Sequence, residues 1–501
     1  MSLQKNIAAN YVSQIYVTLI GIVMLPVYIK YMGAEAYGLV GFFSMLQAWF
    51  SLLDLGLTPT IGRETARFKA GAVSALDFRR LFRALHVLFL GIGILGFITL
   101  YLFAPLVVKH WLKLDALSVE QASFAIQIMA ACIAIRWICG LYRGVITGGE
   151  HLVWLSGYTS IIATLRFIFV LPVMWFYGYT PIVFFFYQLI IAVVEILGLY
   201  IKSYGVLPKV VSASMGWSLK PIRSVLAFSL TVAFTASIWV MVTQTDKLIL
   251  SSILPLSQYG YFTLAVLIAG GVMVITGPIS SAIMPRMARL HAENKEADVI
   301  TIYRNSTQLV SIIAGAASIT LAICARPLLW AWTGDATVVE NVAPTMVLYA
   351  IGNGCLAVSA FPYYLQYARG NLRLHFLGNL ILLCVMVPAI YFSSTYYGSI
   401  GAGYSWMIVN LTFLIFWVWF VHSRLEPGLH KKWLTHDIGL IVLPAAAVGL
   451  LVNGVDVRSE SRILSVLIVF VSGGLIMLTA VAFSSAARAM VANKIVGRRG
   501  V

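Results

Sequence analysis

Two arginines and one glutamate stand where this chain is otherwise hydrocarbon-like. Between Ala122 and Tyr204 the sequence reads as three hydrophobic helices, and Arg136, Arg166 and Glu195 lie far from any loop in them. Arg136 and Arg166 are each about a dozen residues from the nearest helix end, or ~18 Å at ~1.5 Å rise per residue. A bilayer's hydrocarbon core is ~30 Å thick, so that depth is close to its midplane. A lone charge there costs roughly 2.5–3.5 kcal/mol on the lenient insertion scale, and arginine cannot escape by losing its proton. The default is therefore a polar cavity or an ion pair inside a helical bundle. Arg143 follows Arg136 by seven residues, on the same helix face, with Gly140 leaving room between them. Fixed cations leading inward from the cytoplasm suit an anion such as phosphate, which guanidinium grips bidentately. The competing reading is that Glu195 neutralises one arginine and the pair only braces helices. One carboxylate cannot satisfy two buried arginines, which favours anion binding.

Other polar positions are weaker signals. Asn6, Asn10, Gln14 and Thr18 recur every four residues and give the first helix one polar face, which lines a cavity or binds a neighbouring helix. Gln244, Asp246 and Lys247 cluster toward the outer end of the seventh helix, where Asp246 and Lys247 pair with neighbours, form part of an outer gate, or snorkel to the interface. Asp54, before Gly56 and Pro59, is a proton-sensitive gate or an interfacial carboxylate. Pro26, Pro59, Pro172, Pro278 and Pro362 interrupt spans as bending points. The five cysteines fall inside hydrophobic spans and read as small buried apolar residues. No metal, nucleotide or nucleophile motif stands out and no Walker A sequence is present, so neither catalytic residues nor a cofactor are expected and the protein reads as a non-enzyme.

The elements that must hold these residues follow from composition. Of 501 residues, 60% are hydrophobic and 10% charged, and mean hydropathy is +0.92. This is an all-α polytopic membrane protein. Spans fall near 7–29, 37–60, 82–107, 122–147, 153–177, 181–202, 223–250, 257–284, 303–325, 341–366, 374–396, 400–423, 437–453 and 463–486, about fourteen transmembrane helices. The first is too long for a signal peptide and reads as a retained helix. With the connecting segments assigned to alternating sides, 25 of the 34 Lys and Arg fall on one side and 6 on the other; Arg136, Arg166 and Lys247 remain in the membrane. The positive-inside rule places both termini in the cytoplasm. Basic loops facing anionic membrane lipid thus account for the net charge of +16 without nucleic acid. The longest outward segment, about Val108 to Gln121, is too small for a domain, which argues against a membrane glycosyltransferase or polymerase.

An internal repeat is visible. Tyr37-Gly38 returns as Tyr259-Gly260, Ile61 as Ile283, and Ala66-Arg67 as Ala288-Arg289, all offset by 222. A constant offset with one membrane orientation implies two parallel-repeat six-helix lobes, a common plan for alternating-access transporters. The lobes are expected at 1–204 and 223–424, joined by a basic cytoplasmic linker at 205–222. An appended helix pair and a basic tail follow at 425–501.

Residues in this order resemble a known family. Asn10-Tyr11, Gly33-Ala34-Glu35-Ala36-Tyr37-Gly38, Leu53-Asp54-Leu55-Gly56-Leu57, Thr245-Asp246-Lys247-Leu248-Ile249-Leu250 and Gln258-Tyr259-Gly260-Tyr261 resemble the Wzx-type O-antigen and exopolysaccharide flippases. These belong to the multidrug/oligosaccharidyl-lipid/polysaccharide superfamily. The resemblance implies two six-helix lobes around a cationic cavity in a bacterial inner-membrane protein. It further implies transfer of an undecaprenyl-pyrophosphate-linked oligosaccharide from the cytoplasmic to the periplasmic leaflet, with polysaccharide polymerase and chain-length proteins as partners. On that basis Arg136, Arg143, Arg166 and Lys247 would hold pyrophosphate. Asn10, Gln14, Gln244 and interior aromatics would face sugar, and Asp54, Glu195 and Asp246 would serve coupling or gating. A peptidoglycan-precursor flippase and a cation-coupled drug exporter are the alternatives. The exporter is disfavoured because the first helix carries no carboxylate.

Overall fold

The computed structural model describes residues 3–208, 220–454 and 461–489, which are helical almost throughout. Residues 209–219 of the basic linker read at 205–222, and Arg458, Lys494, Arg498 and Arg499, lie outside the described residues. Apolar segments in lipid have no water to satisfy N–H and C=O groups, so the backbone must close its own hydrogen bonds. Twelve segments are long and apolar enough to cross a membrane among the described residues.

The chain divides into two compact units, Met1–Gly260 and Tyr261–Val501. The first contains α1 (Leu3–Met32), α2 (Ala34–Phe50), α3 (Leu57–Lys69), α4 (Ala75–His110), α5 (Val119–Gly148), α6 (Leu152–Phe167), α7 (Val170–Tyr177), α8 (Pro181–Val206) and α9 (Lys220–Ile253). Side-chain caps start the helices where the sequence turns from polar to apolar: Ser74 accepts from Asp77 N, Ser118 from Gln121 N, and Thr180 from Val183 N with Pro181 next to it. Two expected spans are broken. The span read at 37–60 divides into α2 and α3 around a single 3-10 turn, Ser51–Asp54. The span read at 153–177 divides into α6 and α7, because Pro172 has no N–H to return to Ile168 and its ring crowds that carbonyl.

The unit boundary falls beyond the lobe boundary suggested by the repeat, because α9 packs against α2, α3 and α4; Thr60 Oγ1 and Ser229 Oγ share a 2.6 Å hydrogen bond. The repeat itself has a structural counterpart. A Cβ on Gly38 would lie 2.2 Å from Leu256 O, and a Cβ on Gly260 would lie 2.4 Å from Ala34 O. Residues 34 and 38 map onto 256 and 260 by the same offset of 222. The two Tyr-Gly copies therefore cross reciprocally, and both crossings require glycine. At the same end Glu35 accepts from the backbone N–H groups of Asp115, Ala116 and Leu117 at 2.7–3.2 Å.

The second unit continues α10 (Leu256–Ala292) and adds α11 (Glu296–Ile323), α12 (Ala325–Thr333), α13 (Ala336–Ser359), α14 (Phe361–Ala368), α15 (Arg373–Thr412), α16 (Val418–Leu425), α17 (Leu429–Lys432), α18 (Leu440–Gly454) and α19 (Arg462–Phe483). Gly398 leaves helical geometry (φ 57, ψ −137) and divides α15 between the spans read at 374–396 and 400–423. The last helix pair is fastened to α11. Asp437 accepts from Arg304 Nε (2.7 Å) and Nη2 (3.0 Å) and from Gln308 Nε2 (2.8 Å). Trp433, wholly buried, donates to Thr307 Oγ1 at 2.9 Å. Of the cysteines, Cys132, Cys139 and Cys324 are buried as expected, whereas Cys355 is half-buried and Cys384 exposed.

In the first unit α5 is set against α3 through a run of small residues. A Cβ on Gly148 would lie 2.0 Å from Gly62 O, and one on Gly144 would lie 2.7 Å from Thr58 O. Close backbone approach of this kind is how helices associate where hydrophobic force between them is weak. Gly148→Val therefore forces α3 and α5 apart at a cost of about 1–3 kcal/mol. A lowered thermal-unfolding midpoint of the detergent-purified variant is the expected result.

Candidate anion site in the first unit

Helices α5, α6 and α8 position the charged residues. α5 and α8 lie side by side in parallel register: Arg136 meets Gln188 and Arg143 meets Glu195, each pair 52 residues apart. Seven residues separate the two partners on each helix, so both pairs fall on one interface as two rungs. On the first rung Arg136 Nη2 donates to Gln188 Oε1 at 2.8 Å, and its guanidinium lies 5.3 Å from the centroid of the Phe43 ring on α2. On the second rung Glu195 bonds Arg143 through Oε1 and Arg166 of α6 through Oε2, the latter at 2.9 Å.

The broken helix supplies the rest. Because α6 stops at Phe167, its last carbonyls lose their intrahelical donors. Tyr187 OH donates to Leu165 O (2.9 Å), Gln188 Nε2 to Arg166 O (3.1 Å) and Tyr28 OH to Phe167 O (2.6 Å). Gln188 thus ties Arg136 to the end of α6 with both ends of its amide. Arg166, in the last turn of α6, also sits at the negative end of that helix dipole. Tyr158 OH donates to Val194 O at 2.7 Å and holds α6 on α8 next to Glu195.

Three guanidiniums and one carboxylate leave the cluster with a net charge of +2. Glu195 is 2% exposed, whereas the side chains of Arg143 and Arg166 are 43% and 23% exposed. The Nε atoms of Arg136, Arg143 and Arg166 are buried without a hydrogen-bond partner. A buried donor without an acceptor is unusual enough to need an explanation. Such an array can bind an anion through charge-assisted hydrogen bonds.

Arg136, Arg143, Arg166 and Glu195 are thus brought together. The sequence argument that one carboxylate cannot serve two arginines is corrected: Glu195 has two oxygens and gives one to each of Arg143 and Arg166. Arg136 is answered by the neutral Gln188, so the positive excess survives. The remaining candidates lie elsewhere. Lys247 Nζ donates to Thr243 O and Gln244 Oε1, both at 3.1 Å, and buried Asp246 accepts from Lys247 N at 2.7 Å; none of the three bonds an arginine of the cluster. Asp54 caps α3, accepting from Thr58 N at 3.2 Å and Thr58 Oγ1 at 2.5 Å. Asn10 and Gln14 are exposed on α1, while Asn6 is buried. Gln188, Phe43 and Tyr158 were missed from sequence. Gln188 had a signal: it precedes Glu195 by the same seven residues that separate Arg136 from Arg143.

This fold, with twelve segments long and apolar enough to cross a membrane among the described residues, defines a multi-pass membrane protein. The pattern of a family described as "Polysaccharide biosynthesis protein" matches residues 3–291, more than half the chain, and the protein belongs to that family. It is a multi-pass protein of the bacterial inner membrane. The "Putative O-antigen transporter" of Shigella flexneri is 22% identical over 415 residues, covering 81% of this chain and 95% of that protein. Among solved structures, the lipid II flippase MurJ in an inward closed conformation has a TM-score of 0.72 at 14% identity, covering 93% of this chain and 97% of that one. An inward-facing multidrug resistance MATE transporter of the MOP superfamily has a TM-score of 0.68 at 13% identity, covering 83% and 96%. At those identities the likeness to the solved structures concerns the fold.

Gln188→Leu removes the groups that answer both Arg136 Nη2 and the Arg166 carbonyl. Leaving two polar groups unanswered costs about 1–3 kcal/mol each where they are buried. The variant should unfold at a lower temperature than wild type, and Gln188→Asn, which keeps the amide but shortens its reach, should fall between them.

Proposed function

We propose that this protein carries a pyrophosphate-linked oligosaccharide on an undecaprenyl lipid from the cytoplasmic to the periplasmic leaflet, for synthesis of O-antigen, exopolysaccharide or capsule. The observation that carries this reading is the cluster of three guanidiniums beside one carboxylate, Arg143 and Arg166 on Glu195 and Arg136 on neutral Gln188, each with an unanswered Nε donor. A lipid-linked pyrophosphate cannot cross hydrocarbon unaided because its charge must be desolvated. Fixed guanidiniums at depth replace that lost water with charge-assisted bonds, while the polyprenyl tail stays in the surrounding lipid. The family and the Shigella relative support the glycan class.

Transport in this scheme is alternating access with both termini in the cytoplasm. The exposed arginine faces load the head group from the cytoplasmic side. Asn10 and Gln14 are the sugar-facing candidates on α1, and Asp54 and Asp246 the gating candidates. The peptidoglycan lipid precursor also carries a pyrophosphate, so charge alone does not separate the two substrates; rescue of strains lacking one or the other transport step does. Polysaccharide polymerase and chain-length proteins are the expected partners downstream.

In proteoliposomes, wild-type protein should transfer undecaprenyl-pyrophosphoryl oligosaccharide between leaflets, and Arg136→Ala combined with Arg166→Ala should abolish that transfer at normal protein levels. Intact transfer by the double variant would refute the arginine mechanism. Transport of a soluble cation in place of any pyrophosphate-linked glycan would move the protein to the drug-exporter class.

A further inference from the structure

The net charge of the arginine cluster is set by a group that a ligand would hardly touch. Glu195 is 2% exposed, behind Arg143 and Arg166, whose side chains are 43% and 23% exposed. Both of its oxygens are engaged, one by each arginine. A ligand arriving on the exposed side meets the guanidiniums of Arg143 and Arg166 first and leaves the carboxylate in place. Among the other titratable groups around the cluster, Cys132 and Cys139 of α5, Tyr158 of α6, Tyr187 of α8 and Tyr28 of α1 add no charge in their neutral forms. Phe43 on α2 is apolar and Gln188 is a neutral amide.

In a partly buried site the charge left over after binding is a large part of the free energy, because it is screened less than in bulk water. Three arginines with an ionised Glu195 leave +2, and a ligand of charge −2 brings the site to neutrality. A pyrophosphate esterified at both ends has one strongly acidic proton on each phosphorus and carries −2 throughout the physiological range. A phosphodiester carries −1. A pyrophosphate esterified at one end has a further proton that titrates near neutrality, as phosphomonoesters do near pH ~6, and reaches −3 above it.

We infer that Glu195 is a specificity-determining residue: it tunes the site to a dianionic, doubly esterified pyrophosphate and against lipids of other phosphate charge. The inference rests on the proposed anion site and adds the reason for its single carboxylate. A polyprenyl carrier alternates between these forms, doubly esterified while loaded with sugar and singly esterified after unloading. A site that reads charge therefore distinguishes loaded from spent carrier without contacting the sugar.

The test is competition binding at pH 8 to protein in nanodiscs with three probes sharing one tail: farnesyl phosphoryl-N-acetylglucosamine, farnesyl pyrophosphoryl-N-acetylglucosamine and farnesyl pyrophosphate. Wild type should prefer the doubly esterified pyrophosphate over the phosphodiester by roughly tenfold or more. Glu195→Gln raises the site to +3 and should shift preference toward farnesyl pyrophosphate by about the same factor. Glu195→Asp should restore the wild-type order. Gln188→Glu, which lowers the site to +1, should shift preference the opposite way, toward the phosphodiester, and it keeps the idea testable if Glu195→Gln fails to fold. Unchanged ratios among the three probes in the folded charge variants, even with every affinity lowered, would make Glu195 a brace and overturn the inference. Failure of wild type to bind any probe would instead overturn the anion-site reading, and the inference with it.

Discussion

A guanidinium inside hydrocarbon stays charged, and something in the protein must answer it. In the first unit that demand governs how α5, α6 and α8 are held. Glu195 draws Arg143 of α5 and Arg166 of α6 onto α8. Gln188, seven residues earlier, repeats the arrangement with Arg136 and the end of α6. The two rungs require α5 and α8 to run parallel in one register, and a slip by a single residue would leave four polar groups unanswered. The small residues on the α3 side of α5 then allow it to be clamped from the other flank.

Breaking α6 at Phe167 serves the same end. Continuous helix would have used the carbonyls of Leu165, Arg166 and Phe167 internally, and Tyr187, Gln188 and Tyr28 would have had nothing to grip there. Pro172 supplies the break, and the side chains of α1 and α8 make it tolerable inside a membrane, where an open carbonyl otherwise costs several kcal/mol. The second unit solves its own buried-charge problem differently. Arg304 and Asp437 pair through two hydrogen bonds and Gln308 completes the carboxylate's shell. That cluster is balanced in charge, as befits a fastening between helices. The cluster of the first unit is left positive and partly exposed.

Much of this was legible before any coordinates. Long apolar runs, the lysine and arginine asymmetry and the absence of polar domains follow from the energetics of lipid, so the helical membrane class and most spans could be read directly. The repeat at 222 was visible as Tyr-Gly pairs, although only the structure gave the reason: each glycine makes room for the other copy's backbone. The arginines stood out because charge in hydrocarbon is rare. Gln188 did not, since a neutral amide at the same spacing looks like background polarity.

Sequence by itself determined the membrane class, the family, and the presence of arginines in apolar spans against a single nearby carboxylate, because composition and charge are properties of the chain and do not depend on its path. Tertiary structure alone decided the pairing. Which arginines share Glu195, and which must make do with Gln188, depends on the parallel register of α5 and α8 and on where α6 ends. It also placed Asp54 in hydrogen bonds to Thr58 in the first turn of α3, and Lys247 in bonds within its own helix. Those outcomes depend on hydrogen-bond geometry within about 3 Å, a scale set by how helices lie against one another.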